Sequence, residues 1–213
     1  MNNVILASLI LAFLFEGTFF LSLAMIYQSN EKKALRILNT FPFEVTPGFK
    51  EKNSFINYLL IFSILVNLFP FIFYASQNIN SYTVSIMVLF VLSSFCLASL
   101  PFISLEKLRE HFYLDLGAFV TLLAVVGLEA FYCYHLYDVY LMDYALIGMI
   151  ISIVLAVLVL IPVFNPKLFE LKNRQNEDGT YSRKKFIFLA FSEWMLYPIA
   201  LLSLFPLFFI TLQ

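Results

Sequence analysis

The 213-residue chain is 62% hydrophobic and only 13% charged, where soluble domains carry roughly 25% charged residues. A spanning helix needs about 20 apolar residues, so six spans with short loops use this length and leave no room in it for a soluble domain. The net charge of −1 says nothing about partners, and two cysteines in apolar stretches, Cys96 and Cys133, give neither a disulfide framework nor a metal pair.

Six apolar runs follow one another: 4–27, 55–74, 82–103, 116–134, 144–163 and 186–210. In lipid each must be helical, because an unpaired backbone group there costs several kcal/mol. The first run has no positive residue before it and is followed by Lys32, Lys33 and Arg36. It therefore reads as a membrane helix with an outside N-terminus, not as a cleavable signal peptide. The helix is expected to continue over 31–39, until Pro42, Pro47 and Gly48 break the chain. The second run carries Ser63 and Asn67 four residues apart, hence on one face, and a kinking Pro70. Ser93, Ser94, Cys96 and Ser99 give the third run a mildly polar stripe.

A short interfacial helix is expected over 105–112, with His111 as a solvated loop histidine. Glu129 lies in the outer half of the fourth run, and the segment 132–144 after it holds five tyrosines with His135, Asp138 and Asp143. In the fifth run Gly148, Ser152 and Ala156 form a small-xxx-small face, the pattern of close helix packing. Pro166 stops that helix, residues 176–179 read as a turn, and Ser182 is placed to cap the sixth helix. A local likeness between residues 67–71 and 203–207, each with a proline, is too slight in a Phe- and Leu-rich chain to make a repeat.

All thirteen Lys and Arg residues fall between runs one and two (Lys32, Lys33, Arg36, Lys50, Lys52), three and four (Lys107, Arg109), or five and six (Lys167, Lys172, Arg174, Arg183, Lys184, Lys185). The alternate segments, 75–81 and 135–143, carry none. By the positive-inside rule the three basic loops are cytoplasmic. The reading is thus an all-α integral membrane protein: one domain over 1–213, six transmembrane helices, both termini non-cytoplasmic. Tyrosines gather at the span ends, as interfacial rings do.

Three carboxyl groups break the apolar pattern: Glu16 at the middle of the first span, Glu129 in the fourth and Glu193 about two turns into the sixth. A charge at a span centre costs on the order of 2.5–3.5 kcal/mol on insertion scales. No Lys or Arg lies within a span, so these acids must be protonated, hydrogen-bonded or solvated. Glu193 is also near enough to Arg183–Lys185 to pair there. Asn67, both donor and acceptor, is a natural partner for a carboxyl group.

No nucleotide-binding, metalloprotease, hydrolase or haem motif is present, and His135 with Asp138 is too sparse for a metal. The expected function is that of a non-catalytic subunit or scaffold of a membrane complex, docking a membrane or cytosolic protein through its basic loops, chiefly Lys32, Lys33, Arg36, Lys50, Lys52, Lys172, Arg174, Lys184 and Lys185. The alternative is a small proton-coupled carrier or permease component using Glu16, Asn67, Glu129 and Glu193. A third reading, an enzyme on a lipid-linked substrate, would rest on Glu129, His135 and Asp138. No cofactor, metal or nucleic acid is implied. The basic loops suit an anionic cytoplasmic leaflet, and the Phe-rich, Gly-poor composition points to AT-rich coding, as in a low-GC bacterium's plasma membrane, ahead of an organelle inner membrane.

Overall fold

Helix is the regular structure that satisfies its own backbone within one segment, so apolar runs of this length fold as helices. The computed structural model describes residues 2–31, 35–45, 54–103, 107–165, 174–175, 181–182 and 186–212. Its helices are α1 (Asn2–Glu31), α2 (Pro42–Val45), α3 (Ser54–Gln77), α4 (Ser81–Ser99), a 3-10 turn (Leu100–Phe102), α5 (Leu108–Tyr140), α6 (Asp143–Phe164), α7 (Phe188–Leu202) and α8 (Phe205–Ile210). A pair of two-residue antiparallel strands, β1 (Arg174–Gln175) and β2 (Tyr181–Ser182), precedes α7.

Among the described residues five helical stretches are long and apolar enough to cross a membrane: Asn3–Ser29, Ser81–Phe102, Arg109–Tyr140, Asp143–Phe164 and Phe188–Ile210. The chain is therefore an α-helical membrane bundle. The 24-residue α3 contributes a described apolar stretch over Ile64–Gln77.

Helices adjacent in sequence pack side by side, α1 on α3, α3 on α4, α4 on α5 and α5 on α6, and α6 closes onto α7 and α8. The α7–α8 segment also meets α1, α3 and α5. It is the inner member of the bundle: 67% of its apolar stretch is buried, against 28% for α6. Its composition explains this. Ala190, Ser192, Ala200 and Ser203 keep it slim, and its polar groups Glu193 and Tyr197 are buried with Trp194 and Leu196.

Local chemistry fixes the ends. α4 starts with a reciprocal capping box: Thr83 N–H donates to Asn80 Oδ1 at 2.9 Å, and Asn80 N–H donates to Thr83 Oγ1 at 3.1 Å. Pro101 ends it in a 3-10 turn. α5 ends on Leu141, the one described non-glycine residue with positive φ (54°). Its N–H reaches Tyr137 O at 3.1 Å and Met142 N–H reaches Leu136 O at 3.4 Å, the Schellman pattern usually built on glycine. α6 stops at Phe164, ahead of Pro166.

The short α2 tucks beneath α7. Glu44 accepts from Phe41 N–H at 2.7 Å, capping α2. Ile187 N–H donates to Leu38 O at 2.8 Å and Trp194 Nε1–H to Thr40 O at 2.6 Å. Phe41 packs with Ile187, Leu189 and Ala190.

Several expectations need correction. α1 is described to Glu31, and Ile37–Asn39 form a turn, so no helix runs through 39. Of the interfacial helix expected over 105–112, residues 105–106 lie outside the described residues and 108–112 belong to the long α5, because nothing breaks the periodicity between Leu108 and Tyr140. Ser182 sits in β2 and Ile187 occupies the N-cap of α7, without a side-chain cap. In keeping with the absence of a repeat, α3 runs unbroken through Pro70, whereas the helix at Pro206 is interrupted at Ser203–Leu204. Tyr74 and Tyr132 are buried against each other and not part of an interfacial belt; their hydroxyls are 3.0 Å apart.

Candidate functional site: a buried polar line along α7

The line begins at the end of the bundle that carries Arg36, Lys107 and Arg109. Because α5 starts at Leu108, His111 lies on its first turn and points inward, 1% exposed, where a solvated loop position was expected. Phe41 and Phe43 meet the imidazole edge to face at 6.3 and 5.5 Å. Its Nδ1 lies 2.6 Å from Ile103 O and its Nε2 lies 2.9 Å from Glu193 Oε1. A carbonyl only accepts, so Nδ1 carries a hydrogen. The Nε2–Oε1 contact then holds one shared proton: either an imidazolium faces a carboxylate, or a carboxylic acid donates to neutral imidazole. Glu193 is fully buried, and among the described residues its Oε2 has no partner. Asp115, one turn beyond His111 on α5, is 4% exposed and its Oδ1 likewise has none.

One turn above Glu193 on α7 stands Tyr197, which donates its hydroxyl to Leu97 O at 2.9 Å. The reason for that bond lies in α4. The Leu97 carbonyl would take the N–H of residue 101, which is proline and has none. Tyr197 supplies the missing donor. Glu193 shares its helix face, and both are buried.

Glu16 arrives there because α1 and α7–α8 pack antiparallel. Phe20 meets Trp194 at 5.8 Å and Phe13 meets Phe205 at 5.7 Å, and Glu16 falls between these ring pairs. Asn67 Nδ2–H donates to Glu16 Oε1 at 2.7 Å across α1 and α3. Both residues are buried, and Asn67 Oδ1 is without a partner among the described residues. Ser63, placed by sequence on the same face, has no described side chain.

Glu129 stands apart. Gly148 is where α5, α6 and α8 converge: a Cβ there would meet Cys133 Sγ at 3.0 Å and Pro206 Cα and O at 3.4 Å. One turn from this point on each antiparallel helix are Glu129 and Ser152, both buried; both carboxyl oxygens of Glu129 and the Ser152 hydroxyl lack partners among the described residues. Ala156 does not continue the buried stripe, which runs from Ser152 to Leu155 and Val159. It lines an apolar groove with Gly127 and Ala130. Glu129, His135 and Asp138 do not form an acid/base set, since Glu129 is buried while Asp138 is exposed and His135 stacks on Tyr82.

Of the four intramembrane residues singled out by sequence, Glu16, Asn67 and Glu193 join the line and Glu129 does not. Glu193 meets His111; the alternative basic partners Arg183, Lys184 and Lys185 lie outside the described residues, as do Lys32, Lys33, Lys50, Lys52 and Lys172. Arg36 is exposed, and Arg174 lies in β1. Sequence reading missed His111, Asp115 and Tyr197. Their spacing was the available signal: His111–Asp115 and Glu193–Tyr197 are both i, i+4 pairs, each on one helix face. No family model, curated protein or solved structure matches the chain.

Proposed function

We propose that the chain is a small proton-coupled carrier component, and that His111, Asp115, Glu193, Tyr197, Glu16 and Asn67 form its proton-holding line. The observation that carries this reading is the burial of Glu16 on Asn67 together with the burial of Glu193 on His111, on helices that pack against each other. Intramembrane acids without a cationic side chain in the span mark proton or ion pathways, and here two of the three are buried with a hydrogen-bonding side-chain partner. The His111–Glu193 contact holds a transferable proton near the basic end, and Glu16 holds the deepest acceptor.

In this proposal α3 is the sixth span, both termini are non-cytoplasmic and the three basic loops lie against an anionic cytoplasmic leaflet. Support comes from the confinement of all thirteen Lys and Arg residues to alternate loops. The membrane is a bacterial plasma membrane, on the composition given above.

The test is proton flux. Protein reconstituted in vesicles with an inward pH gradient should dissipate it, and Glu16→Gln should abolish the flux while the protein still inserts and keeps its helix content. Unchanged flux in Glu16→Gln, with His111→Gln also unchanged, would exclude the proposal.

The groove lined by Gly127, Ala130 and Ala156 between α5 and α6, about 370 Å³ and wholly apolar, favours a second reading as a membrane-complex subunit. Small residues admit close helix approach. That reading requires a helical partner crosslinking to Ala130→Cys or Ala156→Cys, with no flux from the chain alone.

A further inference from the structure

At the end of the bundle opposite the basic loops, α4 and α5 enclose a cavity of about 410 Å³, lined by Asn80, Tyr82, Tyr132, His135, Tyr140 and Met142 among others. Tyr132 and His135 occupy successive turns of α5, and the Tyr82 ring lies nearly parallel to both: 5.7 and 5.9 Å between centroids and 27° between planes in each case. Tyr140 meets His135 edge to face at 6.0 Å.

This wall is held from behind. The buried Tyr74–Tyr132 hydroxyl contact fixes one ring, and the Asn80–Thr83 capping box fixes the turn that carries Tyr82. The rim is strained. Leu141, next to the lining residue Met142, has φ 54° and is 78% exposed, a conformation a bulky side chain adopts at a cost of roughly 1–2 kcal/mol. Such strain gathers at ligand clamps.

Charge narrows the occupant. Segments 75–82 and 132–144 contain no Lys or Arg, and their charged side chains are Asp138 and Asp143. A phosphate or carboxylate would find no Lys or Arg here. Tyrosine faces attract ammonium groups.

We infer that this cavity binds an ammonium group, presented either by a lipid headgroup or by a free quaternary ammonium solute. The ammonium sits against the rings of Tyr82 and Tyr132, and the apolar rim at Leu141 faces the lipid.

The experiment is thermal unfolding of the full chain in maltoside detergent, read through Trp194, which lies near the basic end and so reports global melting. The probes are choline chloride, phosphatidylcholine and phosphatidylglycerol, with sodium chloride matched for ionic strength. Phosphatidylcholine or choline should raise Tm, and phosphatidylglycerol should not. A shift with choline alone identifies a free solute as sufficient; a shift only with phosphatidylcholine identifies the lipid. Compared with its own ligand-free melt, Tyr82→Leu should need about tenfold more probe for the same shift, as loss of a cation–π contact implies. Tyr82→Phe keeps the ring and should keep the response. An equal shift with phosphatidylglycerol, no shift with either choline probe, or an undiminished shift in Tyr82→Leu overturns the inference.

Discussion

Tyr197→Phe removes one oxygen and leaves the ring, so it tests the bond to Leu97 O without opening a large cavity. The acceptor is the carbonyl that Pro101 deprives of its helical donor, and the hydroxyl reaches it at 2.9 Å from a residue 3% exposed. Leaving a buried acceptor unpaired costs about 1–3 kcal/mol, while interhelical hydrogen bonds in a membrane bundle average about 0.6 and reach about 1.7 kcal/mol. The site is buried and the carbonyl has lost its helical donor, so the expected cost lies near the top of the second range, about 1.5 kcal/mol, or roughly tenfold in the unfolding constant. Pro101→Ala restores an N–H to α4. In that background Tyr197→Phe should cost less than about 0.5 kcal/mol, because the backbone then satisfies Leu97 O. The assay is equilibrium unfolding in mixed micelles with rising dodecyl sulfate, followed by Trp194 fluorescence, on the four proteins of the cycle. Equal costs of Tyr197→Phe in both backgrounds would refute the account of the proline-freed carbonyl.

Three other outcomes follow from the same coordinates. Leu141→Gly relieves the left-handed strain at the end of α5 and should stabilise the protein by about 0.5–1 kcal/mol in the same micelle assay; a loss of stability would show that the leucine side chain anchors the rim. Gly148→Val forces atoms against Cys133 Sγ and the backbone of Pro206 and should cost about 1–3 kcal/mol, with Cys133→Ala recovering part; a neutral Gly148→Val would mean that α8 moves freely. Asn67→Leu leaves Glu16 buried without its donor and should cost about 1–3 kcal/mol. Adding Glu16→Leu should restore most of that stability, as replacement of both buried polar partners does, and urea or dodecyl sulfate midpoints of the pair check it.

The periodicity of charge made the bundle legible. Thirteen basic residues in alternate loops mark out the apolar segments, and five of those emerge as helices of spanning length. Glu16 and Asn67 were legible too, because a polar group in a long apolar run has few partners. Hydropathy is blind to which helix lies innermost, since lipid and protein interior are equally apolar to it. Hence the central place of α7–α8 was not visible, and neither was the fate of Glu193, which turned on whether α5 began early enough to deliver His111. Tyr197 was hidden for a different reason: its role depends on Pro101, far away in sequence on another helix. The break at Ser203–Leu204 was also obscured, because Pro70 in a similar local sequence leaves α3 intact.

The tuck of the Leu38–Val45 segment under α7 has a consequence for biogenesis. Thr40 and Trp194 are 154 residues apart, so a ribosome must add that whole stretch of chain before the carbonyl of Thr40 meets its indole. Until then the inner position of the bundle is vacant, and the other helices are held by their packing on sequence neighbours. A late-emerging helix, α7, is thus the one that locks the first loop in place. A chain truncated before α7 leaves Phe41 without its apolar neighbours and the Thr40 carbonyl without its indole donor, so the first loop depends for its place on the far end of the sequence.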